Sequence, residues 1–551
     1  MLVSISLLVA CQPSEESGDR SGVVAGDDSD SGESYEPIHG PGLTMHGVQV
    51  CAAPDLRASL GPLEQPDVGE VWAKQAFELM EPYPYGPGVT VADLEGDGVP
   101  EVLLANLDVQ LFETDPKGWV EIGAERFPKH GSLFARAVAP ADYDGDGDLD
   151  LLIVNATTDL LWRNDGTGHF VDVSNESGIP IDANPGQSAV WADADGDGDL
   201  DLFVSNRMFA SDPRPPDPAY PNVFYENLGN GTFRDRTELF SEDAILGYTF
   251  VTGFEDLDDD RDPDLYIVND YGGMVYGNRY LRNDSTAGKL AFTDVTVGSG
   301  LELDVNGMGL ALGDLDGDPI PDLVVTDWGH IHLMDSEDGI WFDTSESRGL
   351  RPNLAEDRWL SWGVELVDLD NDGRADIPTV FGPNGDGGLT IKKGVNPENE
   401  PDDLFVQQED GSFAAMGDEW GFAEKSIGRG LVVADIDGDG WLDMIEKSFD
   451  EPAHYFHARC GSEAWLQVDL VGKAPNTAGI GARVTVEGGG RTWQQWIRAG
   501  GTSMSSSGPP KAHFGLGDLD SIDRVTVTWR DGATSVYQVI DPRQRLTIEE
   551  L

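Results

Sequence analysis

Residues 142–150 read DYDGDGDLD, and the chain carries that pattern seven times: DLEGDGVPE at 93–101, then 142–150, DADGDGDLD at 193–201, DLDDDRDPD at 256–264, DLDGDPIPD at 314–322, DLDNDGRAD at 368–376 and DIDGDGWLD at 435–443. Every copy has acids at positions 1, 3, 5 and 9. Composition alone would produce on the order of one such match in this length. The loops gather about a third of all Asp and Glu in the chain, at spacings where like charges repel most. A bound cation is the physical means of offsetting that repulsion.

The spacing identifies the ion. Carboxylates at alternate positions of a tight turn converge on one point, and an all-oxygen shell of irregular geometry suits calcium better than magnesium, which wants a strict octahedron. The side-chain ligands expected are Asp93, Glu95, Asp97 and Glu101; Asp142, Asp144, Asp146 and Asp150; Asp193, Asp195, Asp197 and Asp201; Asp256, Asp258, Asp260 and Asp264; Asp314, Asp316, Asp318 and Asp322; Asp368, Asp370, Asp372 and Asp376; and Asp435, Asp437, Asp439 and Asp443. Position 7 is Val99, Asp148, Asp199, Asp262, Ile320, Arg374 and Trp441 in turn, a variety that fits a main-chain carbonyl ligand. Up to seven Ca2+ ions follow. The bidentate Glu at position 12 of an EF-hand is missing, being Ile153 in the second copy, so the loops are not flanked by helices in that manner.

What flanks them is strand. Runs such as GVTVA, SAVWA and MGLALG precede the loops, and EVLLAN, DLLIVN and DLFVSN follow, so each loop is a hairpin connection. A second hairpin signal appears at 161–173, 223–236, 280–295 and 404–416, which makes about four strands per unit. The units recur every 49 to 67 residues, the spacing of propeller blades with insertions. The expected fold is all-β: a seven-bladed β-propeller over 46–460.

These loops and flanks resemble the FG-GAP/VCBS repeats of integrin α-subunit propellers, over roughly residues 85 to 450. The resemblance implies a calcium-stabilised propeller used for extracellular recognition. Position 6, often Gly because the turn can require a positive φ, is Arg261 in the fourth copy and Pro319 in the fifth. Past the last loop, a small all-β domain is expected over 461–551. There WLQVDLVG (465–472), NTAGIGARVTV (476–486), SMSSSGPPKAHFGLG (503–517) and VTVTWRDG (525–532) resemble the ASPIC/UnbV domain, which follows such repeats in the cartilage acidic protein family.

The rest of the composition narrows the function. The 551 residues include 101 acids against 35 Lys plus Arg, a formal charge of -66 that makes nucleic acid a repelled partner. Residues 1–10 read as a signal peptide whose apolar run is too short to span a bilayer. LVAC at 8–11 resembles a bacterial lipoprotein box, which implies a lipid on Cys11, a flexible linker over 11–45, and a site outside the cytoplasm: anchored at the outer membrane or cell surface, or in the periplasm. Membrane contact is expected only through that anchor. Cys51 and Cys460 bracket the repeats, and a disulfide between them would lock the ring shut.

The function expected is a calcium-binding recognition or adhesion module, its ions scaffold and its ligand, protein or glycan, held by insertions such as 207–222, 271–289 and 381–403. No catalytic residue or enzymatic activity is expected. Two other readings stand beside it: a propeller enzyme acting on polysaccharide or a biosynthetic substrate, and a structural envelope or matrix component. Plain structural roles are expected elsewhere. Gly479-Ile480-Gly481 reads as a turn, Ser503, Ser505, Ser506, Ser507 and His513 as a serine-rich loop without a GxSxG elbow, and Asn106, Asn155, Asn206, Asn269 and Asp327 as turn caps. Tyr271, Tyr276, Trp328 and Trp341 read as blade packing before sugar stacking. His330 and His332 share one side of a strand, with no third metal ligand assignable from sequence.

Overall fold

The structure, a computed structural model, describes residues 42–46, 88–106, 108–114, 119–129, 133–179, 185–207, 220–352, 359–383, 400–423, 425–448, 453–458, 461–501 and 503–551. The expected signal peptide, Cys11, and the Cys51–Cys460 pair lie outside the described residues.

Seven antiparallel meander sheets follow one another along the chain. Blade 1 is Val89–Ala92, Glu101–Leu104, Gln110–Glu113 and Val120–Glu121. Blade 2 is Ala135–Ala141, Asp150–Asn155, Leu160–Asn164 and Phe170–Asp172. Blade 3 runs from Gly186–Ala192 to Phe233–Asp235, and blade 4 from Tyr248–Glu255 to Phe292–Asp294. Blade 5 runs from Leu310–Gly313 to Ile340–Asp343, blade 6 from Ser361–Val364 to Phe413–Ala415, and blade 7 holds three described strands, Gly428–Ala434, Asp443–Ser448 and His454–Phe456. In every blade the acidic loop joins the first strand to the second, as the flanks predicted.

The first strand of each blade packs on the first strand of the next, and that of blade 7 packs on that of blade 1, so the sheets close into a ring. The first strands of blades 2, 3 and 4 are buried along their whole length. This is why they read as near-continuous small and apolar runs instead of alternating ones: both of their faces lie between neighbouring blades.

The C-terminal domain is two four-stranded sheets around one core, in which Leu466, Val468, Phe514 and Leu516 of one meet Val484, Val486, Val525 and Val527 of the other. Its boundary differs from the expected one. Leu43–His46, split between linker and propeller at 45/46 by the sequence reading, pairs antiparallel with Gln544–Glu549 and extends a C-terminal sheet. The run LTMH is too short to signal a strand alone, and it forms one because it meets an exposed edge.

One segment of this domain leaves it. Ala499–Gly500 pairs with Val190 and Trp191 of blade 3, and the serines after it reach inner strands around the ring. The Val364 N–H donates to Ser503 Oγ, Ser505 Oγ donates to the Gln187 carbonyl, the Val89 N–H donates to Ser506 Oγ, and Ser507 Oγ donates to the Val138 carbonyl. Met504 is fully buried with Phe250, Met308 and Trp362. A segment touching the first strands of blades 1, 2, 3 and 6 at once lies on the ring axis. The serine-rich loop is therefore a plug, and its small hydroxylated residues satisfy backbone groups that an apolar plug would orphan.

Candidate metal centres

Each acidic loop is built by its own first and third acids. The Asp93 carboxylate accepts the N–H groups of Asp97 and Gly98, Asp142 those of Asp146 and Gly147, Asp256 those of Asp260 and Arg261, and Asp368 those of Asp372 and Gly373. In all seven copies the position-7 N–H donates to the position-5 carboxylate, at 2.8–3.1 Å. This curl requires a left-handed backbone at positions 4 and 6. Glycines supply it at Gly145 and Gly147, while Asp259 and Arg261 adopt φ of +60° and +78° in the fourth loop. Arg261 therefore does not break the turn.

Pro319 does alter it. Proline cannot take that dihedral and has no N–H to give Asp314. The missing donor comes from the C-terminal domain: the Gln494 N–H reaches Asp314 Oδ2 at 3.0 Å, and its amide group donates to the Gly317 and Asp318 carbonyls.

The position-9 acid is a buried brace. In loops 3 to 7 one oxygen accepts the position-2 N–H, as from Ala194 to Asp201, and the other accepts an N–H from the third strand, as from Asn283 to Asp264; Glu101 shows the first of these bonds, from Leu94, and Asp150 the second, from Asn164. Burial, then the neighbouring acids, pushes the Asp150 and Asp264 carboxyls up to about 9 and those of Glu101 and Asp322 to about 8.

The donor set fits calcium. Oxygens of Asp142, Asp144 and Asp146, of Asp193, Asp195 and Asp197, and of Asp256, Asp258 and Asp260 lie within 4.8 Å of one another. Asp144 Oδ1, Asp150 Oδ2, Asp195 Oδ1 and Asp262 Oδ1 are buried with no hydrogen-bond partner among the described residues. Those of Asp144, Asp150 and Asp195 are at side-chain ligand positions, and orphaned buried carboxylate oxygens there are what an all-oxygen cation shell would satisfy. Three loops are less open. Glu95 is ion-paired with Arg126, Asp372 with Arg374 and Asp437 with His457, whose imidazole the Asp437 carboxylate holds up to about 9.

All seven loops lie under the C-terminal domain. Arg545 donates to the Gly98 carbonyl, Thr477 to Asp142, Arg530 to the Asp193 carbonyl, Gln494 to loop 5, Trp493 to the Gly373 carbonyl and Gln467 to Asp435, while Arg483 pairs with Asp259. Between the two domains, over loops 1, 5, 6 and 7, remains a cavity of about 1820 Å3. No local pattern could have shown this cover, because each contact joins residues far apart in the chain.

The other expectations resolve as follows. Asn155, Asn206 and Asn269 cap turns through the carbonyls of Thr158, Pro221 and Gly277, and Asp327 accepts the Asn306 and Trp328 N–H groups. Trp341 is buried against Tyr280, but Trp328 is 54 % exposed. Gly479 and Gly481, at φ +65° and +84°, form a turn before Arg483–Gly488. The 271–289 segment is not one insertion: it contains the strand Arg279–Asn283, with a connection on either side of it. Residues 208–219 and 384–399 lie outside the described residues. Sequence reasoning missed Asn164, Asn227 and Asn283, whose amides tie consecutive loops together, and the partners of His332.

Comparison with known proteins agrees with this architecture. The FG-GAP-like repeat family matches residues 108–204 and 314–377, and the ASPIC and UnbV family matches 472–551. Cartilage acidic protein 1 of Homo sapiens is 25% identical over 523 residues, covering 84% of this chain and 73% of that one. The protein of the same name from Xenopus tropicalis is 25% identical, covering 72% and 70%. Among solved structures, the WD40 beta propeller domain of Doa1 aligns with 68% of this chain and 93% of its own at 13% identity and a TM-score of 0.39. The chain thus carries FG-GAP-like repeats and a C-terminal ASPIC/UnbV domain and is homologous to cartilage acidic protein 1.

Proposed function

We propose that this protein is a calcium-stabilised, non-catalytic recognition module that works outside the cytoplasm. The observation that carries the reading is the division of the ring into two faces. Every acidic loop lies on the face that carries the C-terminal domain and is tied to it, so ions there act as scaffold in this reading. The second-to-third-strand connections, such as 271–278 and 327–330, leave from the opposite ends of the strands and form the uncovered face. That face is the binding surface in this reading, for a protein or glycan partner. Trp328 gives it an exposed aromatic plane.

Homology to cartilage acidic protein 1 and the FG-GAP-like repeats support a site outside the cytoplasm. A lipid on Cys11 is part of the same proposal. An array of glycans and surface proteins, probed with the calcium-loaded chain and with Trp328→Ala, tests it. Hits that weaken in Trp328→Ala and are returned chemically unchanged are expected. Turnover of a hit, or binding indifferent to every substitution on the uncovered face, would overturn the reading.

A further inference from the structure

We propose that His330, His332 and Asp343 form a second kind of metal site, for a transition ion of the zinc type, on the uncovered face of blade 5. His330 immediately precedes the strand Ile331–Glu337, and His332 lies two residues on, so both side chains stand on one face of the sheet. Asp343 ends the neighbouring strand opposite Met334, which shares that face with His332. Strand alternation and register thus bring together three groups that sequence spacing alone left unassigned.

The ligand geometry is close to that of a bound site. His332 Nδ1 is 2.7 Å from Asp343 Oδ2, and His330 Nε2 is 3.4 Å from the same oxygen. One ligand atom from each residue lies within 4.8 Å of the other two. Two ligands held at zinc's tetrahedral bond lengths stand about 3.3 Å apart, so the triangle needs only rotamer adjustments to close on an ion. The surrounding groups already orient it. His332 Nε2 faces Asp327 Oδ2 at 3.4 Å, the carboxylate–histidine arrangement that sets a ligating imidazole's tautomer, and the Ser345 N–H and hydroxyl hold Asp343 Oδ1. The Ser345 hydroxyl is also 3.0 Å from His330 Nε2. With Asp343 as its second partner, it can release that nitrogen to an ion.

The donor set separates this site from the acidic loops. Two imidazoles and a carboxylate suit zinc, cobalt or nickel, whereas calcium takes oxygen alone. Three protein ligands leave a coordination position open to water or to a ligand donor atom. Trp328, half exposed, lies between Asp327 and His330 in the chain. The site would therefore sit in the open, while the calcium-type loops sit under the second domain.

Cobalt(II) titrated into the full chain in millimolar calcium tests the assignment, because its visible d–d absorption reports ligand type. We expect a band saturating at one equivalent and displaced by zinc, with affinity weakened at least about tenfold in His330→Ala, His332→Ala and Asp343→Asn. His457→Ala, which removes a histidine beside the acids of loop 7, should leave the band unchanged. A melting curve in calcium shows whether each variant is folded, and His330→Ala, on the more exposed of the two imidazoles, decides the matter if His332→Ala is not. A chain that gives no band, or a band that survives both histidine substitutions, contains only a salt-bridged histidine pair, and the proposal fails.

Discussion

In blades 2, 3 and 4 one buried asparagine joins each acidic loop to the loop before it. Asn164 donates to the carbonyls of Leu149 and Leu94, Asn227 to those of Leu200 and Tyr143, and Asn283 to those of Pro263 and Ala194. In blades 5, 6 and 7 the same strand position holds Ser336, Gln407 and Ala458, which keep the backbone N–H bond to the position-9 acid; Ser336 adds a hydroxyl bond to the Ile320 carbonyl of its own loop, and loops 6 and 7 are tied instead by the Asn371 amide, which donates to the Gly440 carbonyl. There the C-terminal domain does more: Gln494, Arg491, Trp493, His513 and Gln467 all reach loops 5 to 7. Blades 2 to 4 are stapled loop to loop by third-strand asparagines, whereas blades 5 to 7, with one such tie between loops 6 and 7, rest on more contacts from the second domain. The same acidic loop can thus be supported by its neighbour in the ring or by a second domain.

Calcium removal is the largest perturbation of this comparison. At ten times its dissociation constant each site contributes about 1.4 kcal/mol by linkage, so seven additive sites would supply roughly 10 kcal/mol, a whole domain's worth of stability. Dialysis against chelator should lower the melting temperature by tens of degrees. Hydrogen exchange under those conditions should show blades 5 to 7 losing protection before blades 2 to 4. Simultaneous loss in both halves would break the distinction.

The pH dependence of the calcium-free chain tests what both halves share. The carboxyls of Asp150 and Asp264 in one half, and of Asp322 and Asp443 in the other, titrate at about 8 to 9 when folded, chiefly because they are buried. Unfolded, they titrate near 4. Between those values the folded chain holds more protons, so its stability must fall as pH rises. A calcium-free melting temperature several degrees lower at pH 8 than at pH 5 is expected, with the decline abolished by saturating calcium.

Single substitutions sharpen the contrast further. Asn227→Ala orphans two buried carbonyls and should cost about 2–4 kcal/mol in chemical denaturation, against about 1 kcal/mol or less for Gln407→Ala at the matching site. Gln494→Ala, which strips side-chain support from loop 5 alone, should weaken one calcium site about tenfold and leave the others unchanged in a calorimetric titration.

Much of this was legible in the chain. Acids at positions 1, 3, 5 and 9, flanked by short apolar runs, specify a strand–loop–strand unit locally, and seven of them at propeller spacing point to a ring, with a solenoid as the alternative. The cover was not legible, because Gln494 and Asp314 are 180 residues apart and nothing in either stretch refers to the other. The plug was visible only as a serine-rich run, whose role depends on the backbone groups it meets at the axis. His332 was visible, but Asp343 acquired meaning only once strand register placed it alongside. The asparagine staples sat inside a turn signal already read as a hairpin, and their second partner, a carbonyl in the preceding blade, has no sequence signature.

The central claim, that seven acidic loops are filled by calcium, is tested most directly by counting. Equilibrium dialysis of the full chain against radioactive calcium, with excess magnesium as competitor, should saturate close to seven ions per chain. Saturation at one ion or none, or full displacement by equimolar magnesium, would contradict it.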